Sequence, residues 1–191
     1  MPAVVTSVWT PANVVTMVRL ALVPLVVVAL LADSDGGWRL VACGLFVLAA
    51  ATDRLDGWLA RSRDQVTDWG KLVDPVADKA LMGGTLVTLS VLGDLPWWVT
   101  VVILVRELGI TALRLAVLRY VVIPASRGGK LKTVLQSVAI GLFLLPLDRL
   151  PDVLTPLAWV VMVLAVLVTV VTGADYVRRG WAVREAARAA R

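Results

Sequence analysis

The chain has 191 residues, 59% of them hydrophobic, with a mean hydropathy of +0.86. Soluble domains average about 45–50% apolar, so a soluble globular domain is excluded. With no histidine and a single cysteine, imidazole bases, imidazole metal ligands and internal disulfides are excluded too. Cys43, inside an apolar run, reads as a small buried hydrophobe.

Six apolar runs follow, each near the roughly 20 residues needed to cross a bilayer. They span Val14–Leu31, Leu40–Ala60, Leu72–Leu92, Trp97–Val117, Leu131–Leu147 and Pro156–Tyr176. Pro24 lies inside the first run, where membrane helices tolerate proline better than soluble ones do. The N-terminus lacks the basic stretch and small-residue cleavage site of a signal peptide, so the first run is expected to stay as a membrane helix. The polar breaks are DSDGGWR, RSRDQVTDWGK, GDLP, RYVVIPASRGGK and DRLPD. There is no internal repeat and no low-complexity linker. The expected fold is all-α: a polytopic membrane protein of six transmembrane helices in one domain, 1–191.

Charge orients the spans. Of 19 Lys and Arg, only Arg39 and Arg149 fall at breaks one, three and five, which carry Asp33, Asp35, Asp94, Asp148 and Asp152 instead. The positive-inside bias puts both termini and breaks two and four in the cytoplasm, with the lipid bilayer as solvent. Trp38, Trp97, Trp98 and Trp159 then mark the outer interface, and Trp9, Trp58, Trp69 and Trp181 the inner one. The net charge of +5 is accounted for by this topology and by anionic headgroups, so no nucleic acid is expected as a partner.

The chemistry sits between spans two and three, in DRLDGWLARSRDQVTDWGKLVDPVAD. Asp53 and Asp56 are three apart, Asp74 and Asp78 four apart. Both spacings bring side chains onto one helix face. The short break makes the two helices antiparallel neighbours, so the four carboxylates converge near the cytoplasmic surface. Four such charges repel one another and are costly to desolvate. Oxygen-preferring cations, Mg²⁺ or Mn²⁺, offset that cost. There is room for two ions with one carboxylate left as a base. Aspartates capping helices or pairing with Arg54, Arg61, Lys71 and Lys79 are the structural alternative. Gly57, Ala60 and Gly70 clear the helix faces for a close approach of nucleotide or of another helix. Arg61 offers a planar fork suited to phosphate.

The segment resembles the signature of the CDP-alcohol phosphatidyltransferase family, D-x2-D-G-x2-A-R-x8-G-x3-D-x3-D. Asp53, Asp56, Gly57, Ala60, Arg61, Gly70, Asp74 and Asp78 match it at every position. The six-span reading matches the family's architecture as well. The resemblance implies a metal-dependent transferase in the cell membrane, with its active site at the cytoplasmic face and a CDP-diacylglycerol donor. An acceptor hydroxyl attacks the lipid-side phosphorus and CMP leaves. Asp53, Asp56, Asp74 and Asp78 would hold two metal ions, and Asp78 would also take the acceptor's proton. A homodimer is implied too. The N-terminal Asn13, Thr16 and Arg19 match the N-x-x-T-x-x-R part of the family's P-N-x-x-T-x-x-R pattern, which lies over the nucleotide pocket, with Pro11 one position further upstream than the pattern has it. Asn13 and Thr16 are therefore candidate nucleotide contacts, or the stretch is simply a helix start with Thr10 or Asn13 as N-cap.

Span four carries Arg106, Glu107 and Arg114, and break four brings Ser126, Arg127, Lys130 and Lys132. An arginine as deep as Arg106 should face a polar cavity. A cluster of cations without matching acids suits a phosphorylated acceptor. R-E-x6-R followed by S-R-x-x-K-x-K-T resembles the branch of the family that uses glycerol 3-phosphate, with Arg106, Arg114, Arg127, Lys130 and Lys132 at the acceptor's phosphate. Phosphatidylinositol phosphate synthase and cardiolipin synthase of the same family are the alternatives. A cation or proton transporter, the alternative of another class, would need acids near the bilayer midplane on several spans. Spans one, five and six have none there.

Overall fold

The computed structural model describes the backbone of residues 10–32, 37–62, 68–117 and 127–189. Side chains are described within these ranges except at 11–12, 53–72, 114–128, 130, 179–180 and 182–189. Six α-helices and one 3₁₀ turn, Leu147–Arg149, make up the described chain, with no strand among the described residues. The helices are α1 Pro11–Leu31, α2 Gly37–Ser62, α3 Asp68–Val91, α4 Trp97–Val117, α5 Arg127–Leu144 and α6 Leu154–Ala189.

Each helix has one of the expected runs at its centre, and the differences lie at the ends. Helix α5 starts at Arg127, so Arg127 and Lys130 stand on its first turn and not in a loop. Its last expected residues, from Leu145, leave the helix where Pro146 cannot supply a backbone donor. Helix α6 continues 13 residues past Tyr176 to Ala189. Ala, Arg and Glu, all strong helix formers, dominate that extension.

Two compact units make up the chain, one comprising Met1–Leu95 with Ile140–Leu150, the other Pro96–Ala139 with Pro151–Arg191. In the first, α1 packs on α2 and α3. Helix α1 buries Leu22, Val26, Ala29 and Leu30, the four-three-one spacing of a single helix face. Phe46 of α2 and Leu81, Leu86 and Leu89 of α3 complete the core. In the second unit α4 packs on α6, burying Ile103, Ala158, Met162 and Ala165.

The opposite faces are apolar as well. Leu25, Val28, Val47, Val105, Leu108 and Val171 are all more than half exposed. Water does not support exposed apolar faces of this extent, and lipid does. Asn13–Leu31 and Leu154–Arg178 are long and apolar enough to cross a membrane. Gly37–Thr52 and Leu131–Leu144 are shorter apolar helical stretches. The protein is membrane-associated.

Helix α3 ends on Gly93, at φ +83°. Gly93 N–H donates to the Ser90 carbonyl at 3.2 Å and Asp94 N–H to the Leu89 carbonyl at 3.0 Å. This is the Schellman closure, whose left-handed residue favours glycine. The turn aims Asp94 at Arg39 of α2, and the two form a two-pronged ion pair. Arg39 also donates to the Phe143 carbonyl at 3.4 Å. The pair is only 18% and 28% exposed, so removing one partner strands a desolvated charge. Arg149 and Asp148, by contrast, are 3.8 Å apart and mostly exposed. Arg39→Leu should therefore destabilise the protein by about 1.5–3 kcal/mol, the value of a charge-assisted bond, seen as a Tm several degrees lower in detergent. Arg149→Leu should leave Tm almost unchanged, as exposed pairs contribute little.

Candidate active site

Helix α2 carries the backbone of Asp53, Asp56, Gly57, Ala60 and Arg61 in its C-terminal half, and Gly70 falls in the first turn of α3. The side chains of these positions lie outside the described residues. Asp74 and Asp78 stand one turn apart on α3, both half-buried. Pro75 between them removes the backbone N–H that would bond the Lys71 carbonyl, yet the helix runs on unbroken.

Across from them, α1 turns a polar face inward. Asn13, Thr16 and Arg19, each three residues from the next, are 2%, 1% and 0% exposed. Thr10 is the N-cap, in extended conformation, and its Oγ1 accepts from Asn13 N–H at 3.2 Å. Of the two N-cap candidates, Thr10 holds the position. Thr16 Oγ1 donates to Asp74 Oδ1 at 2.5 Å. Among the described residues this is the hydrogen bond Asp74 makes, and no cation stands against it. A half-buried carboxylate bonded to one neutral hydroxyl is under-compensated. It suits a hard cation, since Asp74 and Asp78 offer only oxygen. No group of three or more possible ligands comes together among the described residues, which include two of the four motif aspartates.

In the second unit, Arg106 of α4 lies against α6. Its Nε donates to the Thr169 carbonyl at 3.2 Å and its Nη2 to Thr172 Oγ1 at 3.0 Å. Gly173 makes room for it: a Cβ there would stand 3.0 Å from Arg106 Cγ. Nη1 donates to Glu107 Oε1 at 3.0 Å, and Lys132 Nζ of α5 donates to the same oxygen. Gln136 Nε2 donates to Thr169 Oγ1 at 2.9 Å.

The expectation of cations without matching acids is thus corrected at this point. Glu107 serves both Arg106 and Lys132, leaving the trio one net positive charge. Among the described residues, three of the five guanidinium N–H groups of Arg106 are engaged. Tyr176, one turn beyond Thr172 and Gly173, has a buried hydroxyl with no hydrogen-bond partner among the described residues. The side chains of Arg114, Arg127 and Lys130 lie outside the described residues. Sequence reading missed Glu107 as the bridge and α6 as the seat of Arg106. The available signal was the TVVTG stretch of α6, polar and small residues in an otherwise apolar helix.

The profile of the CDP-alcohol phosphatidyltransferase family matches residues 9–171, and the chain belongs to that family. A probable phosphatidylglycerophosphate synthase of Mycobacterium tuberculosis (strain H37Rv) is 55% identical over 170 residues, which cover 88% of this chain and 80% of the relative. A CDP-diacylglycerol--glycerol-3-phosphate 3-phosphatidyltransferase of Bacillus subtilis (strain 168) is 36% identical over 183 residues, covering 88% and 94%. A relative of the same name from Rickettsia bellii (strain RML369-C) is 33% identical over 167 residues, covering 86% and 91%.

Proposed function

We propose that this phosphatidyltransferase moves the phosphatidyl group of CDP-diacylglycerol onto glycerol 3-phosphate, forming phosphatidylglycerophosphate and releasing CMP. The observation that carries the reading is the intact eight-position motif, whose Asp74 and Asp78 stand one turn apart on α3. The names of the relatives agree with it.

Asp53, Asp56, Asp74 and Asp78 would hold two Mg²⁺ or Mn²⁺ ions, which polarise the donor's diphosphate and neutralise charge on departing CMP. Asp78 takes the proton of the attacking glycerol hydroxyl. Weak basicity suffices, because that proton becomes acidic as the new O–P bond forms. Gly57, Ala60 and Gly70 leave space for the nucleotide, Arg61 binds donor phosphate, and Asn13 lies at the nucleotide.

Arg106, Arg114, Arg127, Lys130 and Lys132 hold the acceptor's phosphate. The net positive charge of the trio of Arg106, Glu107 and Lys132 supports this, as does the Tyr176 hydroxyl, unpartnered among the described residues. So do Arg127 and Lys130 on the first turn of α5. Cations there oppose the helix dipole, and an anion bound at that end reverses the penalty.

The 191 residues act as one domain of six spans in the cell membrane, forming a homodimer, with both termini and the active site at the cytoplasmic face. The family match crosses both compact units, which supports a single domain.

Five outcomes test these readings. Purified protein with CDP-diacylglycerol and Mg²⁺ should release CMP with glycerol 3-phosphate and not with inositol 1-phosphate, serine or phosphatidylglycerol. EDTA or Asp74→Asn should abolish that release, and turnover surviving both would sink the metal assignment. Arg106→Ala should raise KM for glycerol 3-phosphate about 10–150-fold, the equivalent of ~1.5–3 kcal/mol, and leave KM for CDP-diacylglycerol unchanged. Gly173→Ala should raise it several-fold with the fold intact, since the gain in helix propensity of roughly 1 kcal/mol offsets the displacement of Arg106. Cysteine placed at Ser34 should react with an impermeant reagent in intact cells and cysteine at Ser62 should not; the reverse pattern inverts the topology.

A further inference from the structure

We propose that Thr16 is the positioning residue of Asp74: its hydroxyl fixes which carboxylate oxygen Asp74 presents to a divalent cation. The inference deepens the metal reading above and rests on it.

Helical hydroxyls in this protein have a local way to satisfy their proton. Thr85, Thr88, Thr133, Ser137 and Thr169 each donate to the carbonyl four residues back on their own helix. That bond is available to any Ser or Thr in a helix. Thr16 donates to a side chain on another helix, 58 residues away. The acceptor is one of the motif carboxylates.

Three properties make that bond a steering device. A carboxylate turns about its last torsion with little preference, so Asp74 needs an external hold to present one oxygen. Threonine is β-branched and confined in a helix to two χ1 rotamers, so the bond to Asp74 selects one of two discrete positions for the hydroxyl. Thr16 is 1% exposed, so no bulk water can take the place of its hydroxyl. With Oδ1 held, Asp74 keeps Oδ2, and a lone pair on Oδ1, for the cation. Outer groups that orient a metal ligand typically contribute 10–100-fold in metal affinity. The role differs from a nucleotide contact: Thr16 acts through Asp74 and not on the donor.

The test is Mn²⁺ binding to the detergent-solubilised protein without lipid substrate, read by the loss of the free-ion EPR signal. Asp74→Asn should abolish the tight binding. Thr16→Val, which keeps the shape and removes the donor, should weaken it ~10–100-fold. Thr16→Ser should restore it to near the parent value. With metal saturating, KM for CDP-diacylglycerol in Thr16→Val should move little. If Thr16→Val does not yield folded protein, Thr16→Cys, with its weak donor, should show the same loss in smaller measure. Folded Thr16 variants with undiminished Mn²⁺ affinity overturn the inference, and a raised donor KM beside it returns Thr16 to the nucleotide. Unchanged Mn²⁺ binding in Asp74→Asn overturns the metal reading itself, and the inference with it.

Discussion

A charge removed from water needs a partner, and in an apolar helical protein the partner must come from another helix or another turn. The described ionic side chains obey this requirement in three places. Arg39 joins α2 to the turn after α3 through Asp94. Glu107 gathers Arg106 from its own helix and Lys132 from α5. Asp74 takes the hydroxyl of Thr16 from α1. Apolar burial brings the helices together without saying how they are rotated, because lipid is as apolar as the core. The polar contacts are directional and settle the rotation.

The three differ in how completely the charge is answered, and the difference separates scaffold from chemistry. Arg39 and Asp94 compensate each other with two bonds, and a carbonyl takes a third N–H. There the two charges cancel within the pair. Arg106 is seated on α6, and the trio it forms with Glu107 and Lys132 keeps one net positive charge. Asp74 is met, among the described residues, by one neutral hydroxyl. Incomplete compensation has a free-energy cost in the empty protein, and a ligand of the right charge removes it. The same reasoning keeps Arg149 and Asp148 out of the functional account, since solvent already compensates them.

The six helices were legible because each is centred on an apolar run, of which those in α1 and α6 are long and apolar enough to cross a membrane. Asp74 and Asp78 were legible as neighbours one turn apart because their spacing matches helix periodicity. Helix ends were read less well. The runs stop where apolarity stops, whereas α6 continues through VRRGWAVREAARA on helix propensity alone. Pairings between distant residues were not legible. Thr16 and Asp74 are 58 positions apart, Glu107 and Lys132 25 apart, and neither pair leaves a periodic trace. Glu107 beside Arg106 read as a neighbour in sequence; its reach to α5 depends on a packing that hydropathy does not encode. Asn13 and Thr16 read as candidate nucleotide contacts, and the burial of both toward the interior of their unit separates that α1 face from the exposed, apolar Leu25 and Val28.

Helix α6 has 36 residues, roughly 54 Å at 1.5 Å per residue, against a hydrocarbon thickness of about 30 Å. It holds the seat of Arg106 at Thr169, Thr172 and Gly173, then Arg178 and the exposed Trp181. One uninterrupted rod therefore carries both the seat of Arg106 and, about two turns further on, the exposed Trp181. On such a rod depth and azimuth are a single variable. Each residue added or removed between Gly173 and Trp181 rotates one end against the other by about 100° and shifts it ~1.5 Å along the axis. The number of residues in that stretch is thus under constraint even where their identities are not, and α6 should tolerate substitutions there far better than single-residue insertions.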